Sequence, residues 1–596
     1  MPTYTAPLDD IRFVLHEMLN VEQLSEIEEY AETASSELID QILEEGAKIC
    51  QEALFPINLS GDQEGCHFEN GKVTTPKGFK EAYDLFTESG WTGVSCDPKY
   101  GGMGLPHTVN FVMQEMICSA NLSFGMYPGL SQGAIDAIYL HGTDEQKDFY
   151  LPKMIEGKWS GTMNLTESHC GTDLGLIRTK AEVHKDGNGA WAITGQKIFI
   201  SAGEHDLTDN IIHLVLARLP DAPDGVRGIS LFIVPKFITE ENDKENTLSC
   251  TSIEHKMGIK ASSTCVMDFQ GAKGFLLGEP HKGLKAMFTM MNAARLAVGM
   301  QGLGMAEVSY QNAVAYAKDR LQMRSLDGTK FPDKPADPII VHPDVRRMLL
   351  TSKAVTEGCR MMSYWIGMNL DIAEKSKDAK EAEKAEDLVA LLTPIAKAYQ
   401  TDMGFEIANL AIQTHGGAGY IGEFGVEQYA RDARITMIYE GTNGIQALDL
   451  VGRKLGQNMG RNLRRFFHPV TEYIEKNQAN PALAEFIFPF AKSVAKLQQS
   501  TATIAQKGMK DPLEAGAASV DYLRQFALVS LAYMWIQMVE KSLERIESGE
   551  GDTKFYEQKI RTARFFFTRM LPETDARFKM IMAGATPLME TPAEAF

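Results

Sequence analysis

Apolar residues recur at three- and four-residue spacings along most of the chain, with polar residues between them. This spacing is typical of helices that bury one face. In the first part of the chain it predicts helices over residues 38–54, 79–86, 109–118 and 133–140. Glycine and proline crowd residues 90–106, which predicts a loop between the second and third of these helices.

The pattern changes near Trp159, where apolar and polar residues begin to alternate. Alternation over residues 179–184 and 191–200, on either side of a glycine-rich turn at 186–189, predicts a β-hairpin. Further strands are predicted over 211–218, 229–234 and 265–269. The middle of the chain, to about residue 277, is therefore expected to form a small all-β domain.

Helical spacing returns after Gly283 in four long segments with apolar faces, which predict a helix bundle. The segments are 283–320, 342–375, 382–413 and 445–458, and a proline-rich loop follows the first of them at 331–343. Beyond about residue 460 the spacing predicts further helices that include 526–539 and 561–570. This tail has the composition of a folded appendage rather than of a disordered one.

Charge and cysteine content exclude several classes of function. The chain has 59 basic and 79 acidic residues and a net charge of -20, which argues against nucleic acid as the main partner. Eight cysteines at irregular spacings include no C-x-x-C pair, so no metal site and no disulfide framework are predicted. Free thiols in a reducing cytoplasm are expected instead. The N-terminus does not resemble a signal peptide, and the most apolar stretch, 526–539, is too short to span a bilayer.

One short stretch, 438–446, carries the strongest candidate chemistry. Glu440 stands there on a glycine- and asparagine-rich loop before a predicted helix. A structural interpretation is equally available, in which Thr442 or Asn443 caps that helix and Glu440 is an ordinary first-turn carboxylate.

Three further motifs are ambiguous when each is read alone. Residues 161–173 place hydroxyls and backbone donors at a strand end, where they could bind a flat polar ring or form a plain polar edge. Residues 417–422 match the G-x-G-x-x-G dinucleotide fingerprint, but they follow a helix rather than a strand, so a Rossmann site is rejected. Arg320, at a predicted helix C-terminus, could meet a phosphate or could complement the helix dipole.

Taken together and in order, these motifs resemble the acyl-CoA dehydrogenase family. The resemblance covers residues 40–455 and rests on the following marks: 163–167 with 171–173, 197–203, 256–259, Arg295, 320–322, 413–420 and 438–442. The opening residues 4–13 and the long tail are similar to a long-form bacterial subgroup. That subgroup includes dehydrogenases of 3-methylmercaptopropionyl-CoA (3-methylthiopropanoyl-CoA) in dimethylsulfoniopropionate degradation, and others of fatty acyl-CoAs in β-oxidation.

The resemblance implies a mixed, mainly α fold with a helical N-terminal domain, a middle β-barrel-like domain, a four-helix bundle and a helical C-terminal extension. The expected divisions are an N-terminal extension at 1–40, followed by domains at 41–158, 159–280, 281–458 and 459–596. A homodimer is expected, because the tail plausibly covers the surface through which shorter relatives pair into tetramers.

The resemblance also assigns residues to FAD and to an acyl-CoA substrate. It gives the flavin ring to Leu165, Thr166, Phe199 and Ser201, and the diphosphate and adenosine, partly across a subunit boundary, to Arg320, Gln322, Gln413, Gly416, Gly417 and Thr442. The substrate residues are Thr172, Arg295, Tyr439 and Gly441, with Arg295 either shaping the site beneath Glu440 or forming a structural ion pair. Phe199 and Ser201 stand where the family usually has tryptophan and threonine, and Met323-Arg324 replaces the common Phe-Gly.

The implied reaction removes hydrogen from C2 and C3 of the thioester, and the resemblance makes Glu440 the base that takes the C2 proton. Some relatives carry the base one residue before the bundle arginine, where this chain has Ala294. Burial against substrate is expected to raise the pKa of Glu440 by more than the helix dipole lowers it. The backbone N–H of Glu440 and a ribityl hydroxyl of FAD would stabilise the enolate oxygen.

Two other functions remain open on the sequence alone. An acyl-CoA oxidase would share the fold and the base but pass electrons to oxygen, whereas a dehydrogenase would pass them to electron-transfer flavoprotein. A non-catalytic assembly or membrane-docking factor is suggested only by the long tail and its run of phenylalanines at 565–567. Acyl-chain length, expected to depend on residues 124–132, is not readable from the sequence.

Overall fold

The structure, a computed structural model, describes residues 2–187, 189–239 and 244–596. Asn188, within the predicted hairpin turn, lies outside the described residues. The chain forms two compact units. The sheet unit contains Glu45–Leu105 and Met116–Ala297, and the bundle unit contains the residues up to Glu44 together with Pro106–Glu115 and Val298–Phe596.

Helices form most of the chain on both sides of one run of strands. Seven precede the main sheet: α1 Leu8–Arg12, α2 Ser36–Ile49, α3 Asn58–Glu64, α4 Phe79–Glu88, α5 His107–Ala120, α6 Leu122–His141 and α7 Asp144–Ile155. The strands are β1 His67–Glu69, β2 Lys72–Thr74, β3 Trp159–Asn164, β4 Lys180–Val183, β5 Ala190–Ser201, β6 Asn210–Arg218, β7 Ile229–Pro235, β8 Leu248–Ile253 and β9 Thr264–Leu277. The later helices are α8 Gly283–Asp319, α9 Pro343–Lys375, α10 Ala379–His415, α11 Glu427–Arg434, α12 Asn443–Asp449, α13 Arg461–Asn477, α14 Ala484–Gly508, α15 Pro512–Ser548, α16 Thr553–Phe565, α17 Glu573–Ala583 and α18 Thr586–Met589.

The sheet unit is built on seven strands in the order β3-β6-β4-β5-β9-β7, with β8 added beside β9. β6 also pairs with β7, so the pairings close into a ring. The predicted hairpin is present as β4 and β5, which pair antiparallel with Val183 opposite Trp191. Strands β6 and β7 are buried on both faces, and their alternate residues pack into two separate apolar clusters. The chain, mainly helical with one large sheet and the small β1–β2 pair, has the predicted fold class.

Close contact between α8 and α10 organises the bundle unit. A Cβ on Gly302 would lie 2.4 Å from the carbonyl oxygen of Gln400, and one on Gly404 would lie 2.5 Å from that of Gly302. Glycine at both positions therefore lets the two helix backbones touch. The middle of α10 therefore lies at a fixed distance from α8. This part of α10 contacts the candidate site described below.

The C-terminal tail is part of the core of the bundle unit. The apolar stretch 526–539 lies inside α15, and the indole N–H of Trp535 donates to the carbonyl of Ala354 in α9 at 3.0 Å. Phe566 and Phe567 are buried, and the ring of Phe567 packs edge-on against Phe486. This burial removes the feature that suggested membrane docking. No helix in the described parts of the chain has an apolar stretch long enough to cross a bilayer.

Element boundaries differ from prediction in a few places. The helix predicted over 445–458 is only α12, followed by one wider turn, Leu450–Lys454, because Gly452 and Gly456 weaken helical continuation and Asn458 has φ 51°. The strand end expected at residues 161–167 is present, because β3 spans Trp159–Asn164. The helices α7 and α11 and the strand β8 were not predicted, and α11 and β8 are only eight and six residues long, which is too short to show a period.

Candidate active site

The loop that carries Glu440 has an unusual backbone. Glu440 has φ 57° and Gly441 has φ 84°, so two successive residues lie in the left-handed region. Such a conformation costs free energy for a residue with a side chain and persists only where the surroundings enforce it. At Gly441 any residue with a side chain would be strained by the positive φ, and its Cβ would lie 2.6 Å from Nε2 of Gln446, which would have to move.

Side chains on three helices fix this loop. Gln446 of α12 donates from Nε2 to the carbonyls of Glu440 and Gly441, both at 3.2 Å. The hydroxyl of Tyr439 donates to Oε1 of Gln301 in α8. Lys397 of α10 donates to the carbonyl of Gly441 at 2.9 Å. Glu440 itself is half-buried.

Thr442 has the capping role that the structural interpretation assigned to it. Its hydroxyl accepts from the backbone N–H of Ile445 at 3.3 Å, at the start of α12. A cofactor contact would have to use the remaining face of this exposed residue.

The predicted diphosphate residues meet where α8 and α10 end. The rings of Tyr316 and His415 stack there with centroids 4.2 Å apart. Arg320 follows Tyr316 by one turn, and Gln413, Gly416 and Gly417 flank His415. Arg320, Gln322, Gln413 and both glycines are exposed, and apart from the adjoining residues no atom in the described parts of the chain lies within 4 Å of where a Cβ would stand on either glycine.

Asp337 organises the loop after Arg320. Its buried carboxylate accepts from the backbone N–H groups of Ser325 at 2.9 Å and Phe331 at 2.8 Å. Although burial opposes it, these hydrogen bonds lower the pKa of Asp337 to about 2. Arg324, a departure from the family pattern, binds the carbonyl of Lys334 at 2.6 Å and the Asp337 carboxylate at 3.3 Å. Arg324 therefore holds the loop together.

In the sheet unit the four predicted flavin residues lie side by side. The N–H of Ile198 donates to the carbonyl of Thr166 at 2.9 Å, which joins 165–166 to 199–201. Phe199 has φ 59° at a bulge in the pairing of β5 with β9, and 58% of its surface is exposed. The bulge leaves this aromatic ring exposed between the buried residues Lys197 and Ile200.

A buried ion pair supports this arrangement. Lys197 donates to Glu167 Oε1 at 2.9 Å and to the carbonyl of Leu165 at 3.0 Å. Burial would raise the pKa of Glu167, but Lys197 and hydrogen bonds from Thr179 and the N–H of Arg178 outweigh it and lower that pKa to about 2. The charged pair therefore fixes Leu165.

Glu167→Gln is expected to destabilise the sheet unit by about 3–5 kcal/mol at neutral pH, because it leaves the Lys197 ammonium buried without its charged partner. The Glu167 pKa is depressed, so this contribution is complete above the ordinary value of 4.5 and is lost as pH falls towards about 2. Thermal unfolding of wild type and variant at pH 7 and at pH 3.5 would measure it. Glu182→Gln removes an exposed partner of Lys180 and serves as the control, and equal melting of all three proteins at pH 7 would contradict the prediction.

Two predicted substrate residues lie elsewhere in the sheet unit. Thr172 is exposed in the loop after β3, and Arg295 is buried in α8 with Nη1 3.5 Å from Oδ1 of Asn292. One group of three potential metal ligands, Glu167, His169 and Cys170, occurs among the described residues. Because Glu167 is already bonded to Lys197, Thr179 and Arg178, we assign no metal to it.

The chemistry of the two sets of residues fits a flavin dinucleotide. An exposed aromatic ring beside the hydroxyl-bearing Thr166 suits a flat polar ring system. An exposed arginine at the end of α8 and two exposed glycines at the end of α10 suit a diphosphate, which needs charge and close approach of backbone. Lys197, Lys397 and Gln446 support these residues. Lys197 and Gln446 lie within motifs that the sequence singled out, but their supporting roles were not predicted, and nothing local marks Lys397 among the polar residues of its helix.

Comparison with known proteins agrees with this chemistry. Four family models match successive parts of the chain: the acyl-CoA dehydrogenase N-terminal domain at 36–158, the middle domain at 162–272, the C-terminal domain at 281–455, and an acetyl-CoA dehydrogenase C-terminal-like model at 466–592.

Two curated relatives match over nearly the whole length. The 3-methylmercaptopropionyl-CoA dehydrogenase of Ruegeria pomeroyi is 44% identical, with 97% of this chain and 98% of that protein covered. A broad-specificity linear acyl-CoA dehydrogenase of Mycobacterium tuberculosis is 33% identical, with 100% of both chains covered. The crystal structure of an acyl-CoA dehydrogenase from Bacillus anthracis, complexed with FAD, has the same fold, with TM-score 0.74 at 23% identity over 92% of this chain and 88% of that one. The chain belongs to the acyl-CoA dehydrogenase family.

Proposed function

We propose that this protein is an FAD-dependent dehydrogenase that converts an acyl-CoA thioester to the 2-enoyl-CoA, with Glu440 as the base that removes the C2 proton. The observation that carries the assignment is the left-handed backbone at Glu440, which continues into Gly441 and is held by hydrogen bonds from Gln446 and Lys397. Backbone strain of this kind is typical of functional sites, where it fixes the direction of a side chain, here that of Glu440. A simple helix-capping loop would need Thr442 but would not need Glu440 in this conformation.

Different residues of the chain would bind the cofactor, remove the proton and contact the substrate. Leu165, Thr166, Phe199 and Ser201 would hold the flavin ring, and Arg320, Gln322, Gln413, Gly416, Gly417 and Thr442 would hold the diphosphate and adenosine. The chemistry that bound FAD supplies is acceptance of the C3 hydride. Glu440 would hold the C2 proton on its carboxylate, and its backbone N–H would donate to the thioester oxygen as negative charge develops. Thr172, Arg295, Tyr439 and Gly441 would line the path of the substrate.

We propose 3-methylthiopropanoyl-CoA as the substrate, with methylthioacryloyl-CoA as its product. The support is 44% identity over 97% of the chain to a relative named for that substrate under its older name. Linear fatty acyl-CoAs are the second candidate, because a long-form relative covering the full length is named for them.

A panel of acyl-CoAs assayed with an artificial electron acceptor would decide between these substrates. We expect kcat/KM to be highest for 3-methylthiopropanoyl-CoA. Pentanoyl-CoA, in which a methylene group replaces the sulfur atom, is nearly its isostere, so it is the matched comparison. Higher kcat/KM for pentanoyl-CoA or longer linear chains would replace the proposed substrate with a fatty acyl-CoA, and the absence of flavin reduction by any acyl-CoA would overturn the proposed function.

Electron-transfer flavoprotein is the proposed acceptor, following the family resemblance. Stoichiometric hydrogen peroxide from aerobic turnover would instead identify an acyl-CoA oxidase. A homodimer and a cytoplasmic location complete the proposal. The eight free cysteines, seven of them buried, suit a reducing compartment.

A further inference from the structure

The loop at Glu440 is connected to α10 by a lysine whose position in the sequence gives no hint of this role. Lys397 lies in the middle of α10 and none of its surface is exposed. Its Nζ donates to the carbonyl of Gly441 at 2.9 Å and to Oδ1 of Asn443 at 2.9 Å. The two acceptors lie one and three residues after Glu440.

Asn443 extends this connection over the next turn of α10. Its Nδ2 donates to Oδ1 of Asp402 at 2.6 Å, to the hydroxyl of Thr401 at 3.0 Å and to the carbonyl of Ala398 at 3.2 Å. Burial raises the pKa of Asp402, while Asn443 and nearby cations that include Lys397 oppose the rise. Asn443 is therefore bound to α10 both through Lys397 and through Ala398, Thr401 and Asp402.

A buried ammonium is costly, so it persists only where its hydrogen bonds are met at fixed positions. Here two of those positions belong to the segment that follows Glu440. The close crossing of α10 with α8 at Gly302 and Gly404 prevents the helix from shifting to follow the loop. The left-handed conformation at Glu440 and Gly441 is thus enforced from α10 by Lys397, in addition to the contacts from Gln446 within its own segment.

We propose that Lys397 is a positioning residue for the reaction, which sets the direction of the Glu440 carboxylate by holding the Gly441 carbonyl. This inference rests on the proposed role of Glu440 as the base. Displacement of a reacting group by about 1 Å can cost about 10²-fold in rate. Loss of the Lys397 contact is therefore expected to slow proton removal without removing any group that touches substrate.

The test uses the FAD-loaded full-length enzyme with Lys397→Met, which has similar volume and no donor. Flavin bleaching under saturating 3-methylthiopropanoyl-CoA, and separately under pentanoyl-CoA, gives the reduction rate per bound flavin, and titration of the oxidised flavin spectrum gives substrate affinity. We expect FAD content to be kept, substrate affinity to change by less than about threefold, and the reduction rate to fall by about 10²-fold. Thr393→Val, one turn earlier on α10, removes a hydroxyl that bonds only within the helix at 2.7 Å and should reduce at the wild-type rate.

Asn443→Ala is the second variant, should Lys397→Met fail to fold. It removes one of the two groups that accept hydrogen bonds from Lys397. The reduction rate should again fall while substrate affinity is kept, but the fall should be smaller than in Lys397→Met. The double variant should reduce about as slowly as Lys397→Met, because both substitutions act through one loop. Reduction at the wild-type rate per bound flavin in the folded variant would overturn the inference, as would a rate loss that matches loss of FAD.

Failure of this inference is distinguishable from failure of the proposed function. If Glu440→Gln reduces its flavin at the wild-type rate, the proposed base is wrong whatever Lys397 does. If Glu440→Gln is inactive while Lys397→Met is unaffected, only the role of Lys397 is wrong.

Discussion

Glutamine at position 440 is expected to leave a protein that retains FAD and binds acyl-CoA, yet reduces its flavin more slowly by up to about 10⁴-fold. The amide has the shape of the carboxylate and can keep the left-handed backbone, but it cannot accept the C2 proton. Because the backbone N–H at 440 is unchanged, affinity for the thioester should change little. The variant should therefore separate binding from proton removal.

Anaerobic mixing of this variant with excess substrate, followed by flavin absorbance, is the measurement. Glu406→Gln, an exposed position on α10, is the matched control and should bleach at the wild-type rate. Bleaching of Glu440→Gln at that same rate would contradict the assignment of the base. Loss of FAD from the variant would instead point to a structural role for the carboxylate.

Arg360→Met is expected to produce the largest loss of stability, at least about 5 kcal/mol, the upper end for one broken buried ion pair, because it removes a cation shared by three carboxylates. Arg360 is 1% exposed in α9 and binds Glu115 through Nε at 2.9 Å and Glu307 through Nη2 at 2.5 Å. It also binds Asp10 of the N-terminal segment, which in turn binds Lys559 of α16. The substitution removes one of the cations that balance these carboxylates in the core of the bundle unit.

Asp10→Asn should cost less, about 1.5–3 kcal/mol, since the amide removes charged hydrogen bonds but leaves Arg360 and Lys559 with carboxylate partners at Glu115 and Glu357. Although burial opposes it, Lys559 and Arg360 lower the pKa of Asp10 to about 2. The pKa is depressed, so this contribution is present above the ordinary value of 3.8 and is lost as pH falls towards 2. Urea midpoints at pH 7 would rank the two variants, and a smaller shift for Arg360→Met than for Asp10→Asn would contradict this account.

Helix and strand periodicity predicted most of the architecture. In a long amphipathic helix or an alternating strand, the buried residues recur at a regular spacing that is visible in the sequence. The bundle helices α8, α9 and α10 begin and end within a few residues of the predicted positions. The ordered set of motifs predicted the family, which the four family models and the curated relatives confirm. The roles given to individual site residues remain predictions.

The support of the site could not be predicted in the same way. Lys397 and Gly441 are 44 residues apart, and Lys197 and Glu167 are 30 apart, so their pairing depends on how separate elements pack. Nor does a sequence reveal that Glu440 takes a left-handed conformation, because that state is imposed by contacts rather than preferred by glutamate. The position of Arg360 among the apolar residues of a long helix indicates in the sequence that this arginine is buried. Its partners cannot be predicted in the same way, because they lie on three other segments.

The two ends of this polypeptide depend on each other. Thr3 and Thr5 exchange hydrogen bonds with Asn312 and Gln311, and Asp10 then connects α9 to α16 near the opposite terminus. A shortened protein without the leading segment or without α16 would leave buried charged side chains, such as Lys559 or Asp10, exposed to solvent. Removal of either the leading segment or α16 is therefore expected to leave a buried charge of the other without its partner, so the two segments are expected to fold together.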